Sequence, residues 1–207
     1  MIILVKNLNT IILGPMEYSR RYFQSIIKDE LDLDIDLPVS VTGYLDLNNN
    51  LEIYPVTVVQ PNYNSKIEQL SGPFYNFSGE TCTATYNVVP KDIDAVKNEL
   101  KATVAANRYK KEIGGVDKTI QGQTVRLLTG REDRNLYLQA FQLNAADISW
   151  KFNNELWLIL SLAELGEIVA TVMNHIKTSF EEEVAIITTI NNCTTLEQLD
   201  AVGLELS

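Results

Sequence analysis

Between Leu162 and Ile190 the chain reads LAELGEIVATVMNHIKTSFEEEVAIITTI, with no proline and with apolar residues returning every three or four positions. Leu165, Ile168, Val169, Val172, Ile176, Phe180, Val184 and Ile187 make a continuous stripe, the pattern of an amphipathic α-helix. At 1.5 Å per residue such a helix extends about 43 Å, a length that a small domain covers with difficulty unless the helix breaks near Thr178-Ser179. Two arrangements would cover it. The helix folds against its neighbours within the chain, or it packs against another copy or a larger assembly. Any domain built on this chain must satisfy that stripe first.

The helix also announces its start. Ser161 followed by Glu164 fits a capping box, in which the N-cap hydroxyl accepts from an orphan amide and the N3 carboxylate reaches back to the cap's own amide. The same spacing recurs as Thr129 with Glu132 and as Thr194 with Glu197, so the sequence predicts three capped helices. Before them, KNELKATVAANRYKKEI carries Ile93, Val96, Leu100 and Val104 on one stripe and stops at Gly114-Gly115, as a left-handed cap would stop it. KTIQGQTVRLL predicts two short strands about Gln121-Gly122. ISWKF and ELWLIL predict a hairpin turning at Asn153-Asn154, with Trp150 and Trp157 on its two arms.

The first ninety or so residues differ in character. IILVK and TIILGP flank an Asn-rich turn, and SVTGYLDL and LEIYPVTVV flank NNN, which predicts two hairpins. Tyr54-Pro55 suggests an edge strand, since proline cannot donate to a ladder. YSRRYFQSIIKDEL places Tyr18, Tyr22, Ile26 and Leu31 at roughly helical spacing. QPNYNSKIEQLSGPFYNFSGET is turn-rich and aromatic, and TCTATYNVV is a further strand. The expected architecture is α+β. Residues 1–89 form a β-rich module with one short helix, and residues 90–207 run helix, hairpin, helix, tryptophan hairpin, long helix.

Composition limits the roles such a chain can play. With 45% apolar and 21% charged residues it can bury a core. Its 17 basic against 27 acidic residues give a formal charge of −10, which disfavours nucleic acid and anionic membrane surfaces as partners. MIILVK is too short for the apolar region of a signal peptide, and no run is long enough to span a bilayer. Cys82 and Cys193 have no metal spacing and fit free thiols in a reducing compartment, so synthesis in a cytoplasm is expected.

Chemistry is sought first in TGREDRNLY, where Arg131 and Arg134 follow Arg126 within nine positions. Guanidinium groups suit an anion clamp, but GGVDKTIQGQT lacks the Gly-Lys-Ser/Thr ending of a nucleotide loop. The alternative is a helix start whose arginines are solvated or paired, with Leu136, Ala140 and Phe141 as its buried stripe. The sole histidine, His175, lies within the long helix with no nucleophile motif beside it. Asp29 to Asp36, DELDLDID, lacks the glycine and the twelfth-position glutamate of a calcium loop and fits a solvated acidic segment. Tyr63, Phe74, Tyr75 and Phe77 could form a glycan platform or pack a small β core. No catalytic, cofactor-binding or metal-ligating set is expected.

From ANRYKKEIGGV through TVRLLTGREDRNLYLQA and ISWKFNNELWLIL to TTLEQLDAV, covering about residues 100–202, the chain resembles an uncharacterised domain common at the C-termini of bacteriophage tail proteins. Its Thr-Xaa-Arg-Xaa-Asp-Arg pattern maps onto Thr129, Arg131, Asp133 and Arg134, and its tryptophan hairpin onto Trp150 and Trp157. Members occur in tail-fibre, tail-fibre-assembly and baseplate-associated proteins with no accepted catalytic role. The resemblance implies a virion or assembly protein without identifying which, and the leading expectation is a non-enzymatic structural component of the tail, assembled in the bacterial host cytoplasm. Its partners would be other tail, baseplate or fibre proteins, with a homo-oligomer as a further option. The alternative is a fibre-assembly chaperone absent from the mature virion. The contact surface expected on this reading combines Trp150 and Trp157 with Leu165, Val169, Val172, Ile176, Phe180, Val184 and Ile187.

Overall fold

The computed structural model describes residues 1–6, 10–41, 43–47, 51–144, 147–152 and 156–206. The expected turns at 7–9, 48–50 and Asn153-Asn154 lie outside the described residues. The chain is α+β and divides into two compact units, Met1–Pro90 and Lys91–Ser207.

The first unit holds β1 (Ile2–Lys6), β2 (Thr10–Met16), α1 (Arg20–Leu31), β3 (Leu45–Asp46), β4 (Leu51–Val59), β5 (Glu68–Ser78) and β6 (Thr81–Pro90). The sheet order is β2-β1-β4-β6-β5, with β3 also paired to β4. β1 runs antiparallel to β2 and β4, whereas β4 and β6 are parallel. β1 is buried on both faces, and its alternation divides two cores. Ile2 and Leu4 join Phe23, Ile27, Leu37, Leu51 and Ile53. Ile3 and Val5 join Tyr54 and Cys82, with Tyr75 and Phe77 packed alongside.

Three expectations for this unit are corrected. First, β4 is no edge strand. The Val56 amide bonds to the Met1 carbonyl on the β1 side, so by alternation Pro55 turns its nitrogen the other way. There β3 pairs Ile53 and Glu52, and β6 begins only at Val56, so Pro55 falls where one neighbour gives way to the next. Second, the aromatic segment is an eleven-residue strand, β5, whose register shifts between Ser71 and Phe74 around Gly72-Pro73. Gly and Pro masked its alternation. Third, α1 buries Phe23 and Ile27, while Tyr22 is exposed. The acidic run after it has no regular secondary structure. Leu33 and Ile35 pack toward the core, Leu37 is buried within it, and Asp36 pairs with Arg20 at 2.5 Å.

The second unit holds α2 (Ile93–Ile113), β7 (Val116–Ile120), β8 (Gln123–Leu127), α3 (Arg131–Gln142), β9 (Ile148–Phe152), β10 (Leu156–Leu160), α4 (Leu162–Asn192) and α5 (Leu196–Asp200). β7 and β8 form an antiparallel hairpin through Gln121 and Gly122, both with positive φ, the backbone of a tight hairpin turn. β9 and β10 form a second. Their inward residues, Ile120, Val125, Leu127, Phe152 and Leu160, share a core with Tyr137 and Ala140 of α3 and with Leu165, Ile168, Val172 and Ile176 of α4.

The helix starts follow the expectation once and depart from it twice. Ser161 and Glu164 make the capping box that opens α4. At α5 the box is displaced by one residue, to Thr195 and Gln198 instead of Thr194 and Glu197. At α3 there is none: the N-cap is Gly130, with no side-chain cap bond. Nor are Leu136 and Phe141 the buried face of α3. That face is Tyr137 and Ala140, and Leu136 and Phe141 are exposed.

Candidate functional site

Thr129 is fully buried, two residues before α3. Its hydroxyl accepts from the Gly115 amide at 2.9 Å and donates to the Glu112 carbonyl. It therefore ties the end of α2 to the start of α3 across the β7–β8 hairpin. Gly115 is held at φ +84, and a Cβ there would lie 2.8 Å from the Leu127 carbonyl. Only glycine combines that backbone with so close an approach.

Beside this tie lies a cluster of charges. The Glu112 carboxylate, 5% exposed as a residue, bonds to Arg108 Nη1 and, at 3.1 Å, to Arg134 Nη2. Arg108 also meets Glu183 at 3.1 Å and lies 4.4 Å from the centre of the Phe180 ring. Lys111 pairs with Glu182 at 2.6 Å. Thus α2, α3 and α4 are joined by a mostly shielded ionic network in which each carboxylate has a guanidinium or ammonium partner. Such a network supports one arrangement of helices, and losing one partner would strand a buried charge.

His175 belongs to the same region. Its Nε2 lies 2.9 Å from the Lys111 carbonyl, so this nitrogen carries the proton and donates. That makes His175 a brace between α4 and α2. Arg126 is likewise engaged, with Asp117 at 3.0 Å and the Gly114 carbonyl at 2.6 Å. Arg126, Arg131 and Arg134 therefore do not converge as an anion clamp: Arg126 and Arg134 hold acids of the fold, and Arg131 stands apart. Among the described residues, no group of three or more His, Cys, Asp or Glu side chains could hold a metal.

The predicted contact surface is only partly a surface. Leu165, Val172 and Ile176 are buried in the core of their own unit, because α3 and both hairpins cover the first half of α4. Val169 and Ile187 are half-buried. Trp150 turns inward and lies 5.1 Å from Tyr137, ring centre to ring centre. Trp157 is 61% exposed on the outer face of β10, with the Lys151 ammonium 5.9 Å from its ring. Phe180 and Val184 remain 45% and 62% exposed.

Sequence reasoning missed exposed Leu138, Leu143, Ile159 and Met173. Met173, Phe180 and Val184 form a second apolar line on α4, turned aside from the buried one. Their steps of seven and four residues carried the signal. In the first unit, the aromatics of β5 divide by strand alternation. Tyr75 and Phe77 face the core, whereas Phe74 and the preceding Tyr63 are exposed, so they form no common platform.

The residues of this ionic and hydroxyl network fall within a recognisable family domain. The family described as a domain of unknown function, DUF4376, matches residues 95–203, just over half of the chain. The chain belongs to the DUF4376 family. The matched residues take in most of α2, all of the ionic network, both hairpins and α4. Beyond this DUF4376 match, no curated protein and no solved structure compared with the chain matches it. No helix among the described residues is long and apolar enough to cross a membrane.

Proposed function

We propose that the chain is a non-enzymatic structural component of a bacteriophage tail, associated with the baseplate or a tail fibre and acting through protein–protein contacts. The observation that carries this reading is the order of elements across residues 100–202 that resembles phage tail proteins. The exposed apolar residues Trp157 and Ile159 of β10 and Phe180 and Val184 of α4 support it, since large apolar side chains left outside a core are available for contacts. Glu112 and His175 of the DUF4376 unit are engaged in holding helices together, which suits a scaffold better than a reaction centre. On this reading the β-rich first unit docks onto other tail proteins and the second presents the apolar surface.

The test is quantitative mass spectrometry of purified virions of the phage that encodes the chain. A tail component is recovered at a fixed ratio to the tube and baseplate proteins. A chain abundant in infected cells and missing from virions would instead be an assembly chaperone, and the structural reading would fall.

A further inference from the structure

A cleft of about 400 Å³ opens between α3 and α4. One wall is Arg131, Arg134, Asn135 and Leu138, at positions i, i+3, i+4 and i+7 of α3, with Arg134 already held by Glu112, and the other is Val169, Val172 and Met173 of α4. Helical spacing places each set on a single face. The buried Tyr137 also borders it, with its hydroxyl already bonded to the Leu128 backbone, so this phenol offers an apolar ring. No carboxylate lines the cleft, although Glu132 and Asp133 adjoin Arg131 in sequence. Asp133 lines a different hollow, with Arg126, Lys151 and Trp150.

Arg131 is the unsatisfied group here. The other three arginines of this unit are bound to acids: Arg108 and Arg134 to Glu112, and Arg126 to Asp117. Arg131 has no hydrogen-bond or ion-pair partner among the described residues and is exposed at one end of an apolar cleft. A guanidinium is weakly hydrated and matches a carboxylate with two parallel bonds. Apolar walls penalise a strongly hydrated anion such as phosphate and reward a carboxylate flanked by alkyl groups. From Arg131 to Leu138 the helix rises about 10 Å, the reach of about three extended residues.

We infer that this cleft is a docking site for a short segment of a partner protein in which a Glu or Asp stands beside apolar residues, with the carboxylate on Arg131 and an apolar side chain between Leu138 and Met173. Charge complementarity selects this occupant: an acid-free cleft carrying an unpaired cation favours an acidic partner, and its lining demands apolar flanks. The inference deepens the reading of this unit as an interaction module and rests on it.

The full-length protein would be titrated, at low salt, with acetyl-Leu-Glu-Leu amide and with its Gln counterpart, following backbone amide shifts by NMR. The expected result is saturable shifts confined to α3 and α4, with the Glu peptide preferred about two- to fivefold, the scale of one exposed charge pair. R131Q should remove the preference without changing the melting temperature, because Arg131 supports nothing in the fold. M173E should abolish binding by offering Arg131 an internal partner. Equal binding of the two peptides, an unchanged preference in R131Q, or no shifts up to about 1 mM peptide would each overturn the proposal. The virion measurement is independent of this titration, so failure of one leaves the other standing.

Discussion

Thr129 sits where a helix cap was expected and does a different job. A cap would satisfy an amide of its own helix, whereas this hydroxyl satisfies an amide and a carbonyl belonging to the end of α2. The distinction is measurable. Thr129→Val keeps the shape and leaves the Gly115 amide and Glu112 carbonyl without that partner. A buried polar group left unsatisfied costs about 1–3 kcal/mol, so urea unfolding should show a loss on the order of 2–3 kcal/mol. Glu132→Gln should change stability by less than about 0.5 kcal/mol, since Glu132 is exposed. A capping box would have made the glutamate costly as well. What the sequence could not reveal is the Gly115 amide: Thr129 and Gly115 are partners only after the β7–β8 hairpin has closed.

At the scale of elements, Glu164 holds α4 at its first turn. It accepts from the Ser161 amide at 2.8 Å, from the Ser161 hydroxyl at 2.7 Å and from Gln121 at 3.0 Å. The Ser161 amide, then its hydroxyl, then Gln121 hold the carboxyl below its ordinary value. A carboxyl depressed in the folded state binds protons more readily once unfolded, so it contributes stability above the unfolded-state pKa. That contribution is lost as pH falls below about 4.3 and through the depressed folded value. Glu164→Gln should therefore flatten the acid limb of a stability profile measured by urea unfolding between about pH 5 and pH 3. The box was legible in Ser161-Leu-Ala-Glu164 because every partner but Gln121 is local. The helices and hairpins of this unit were legible for the same reason, their signals lying within a few residues of one another. The interface stripe was only half legible. A three- and four-residue repeat says that a helix has an apolar face, and not which residues its neighbours cover. Leu165 and Ile176 are buried while Phe180 and Val184 are exposed, although all four share one period. In the first unit, β5 was lost to its Gly-Pro pair, and β4 looked like an edge because the relay between β3 and β6 is long-range.

The chain divides into two compact units, and each buried cluster seen among the described residues lies within one of them. Residues 91–207 carry a complete hydrophobic core, capped helices and their ionic network. This fragment should melt in one cooperative transition when expressed alone, with far-ultraviolet and near-ultraviolet dichroism coinciding. Non-coincident curves would show that the second unit depends on the first. Within the first unit, β4 joins the β1–β2 side of the sheet to the β6–β5 side, through Leu51–Pro55 to β1 and through Val56–Val59 to β6. Remove it in thought and a β1–β2 ribbon and a β5–β6 ribbon remain, neither able to persist as a lone pair of strands in water. The sheet is thus wired in series through nine residues, and no opening on either side of Pro55 can spread without passing through it. Mechanical load applied across this sheet would have to pass through β4, whichever ribbon it entered by.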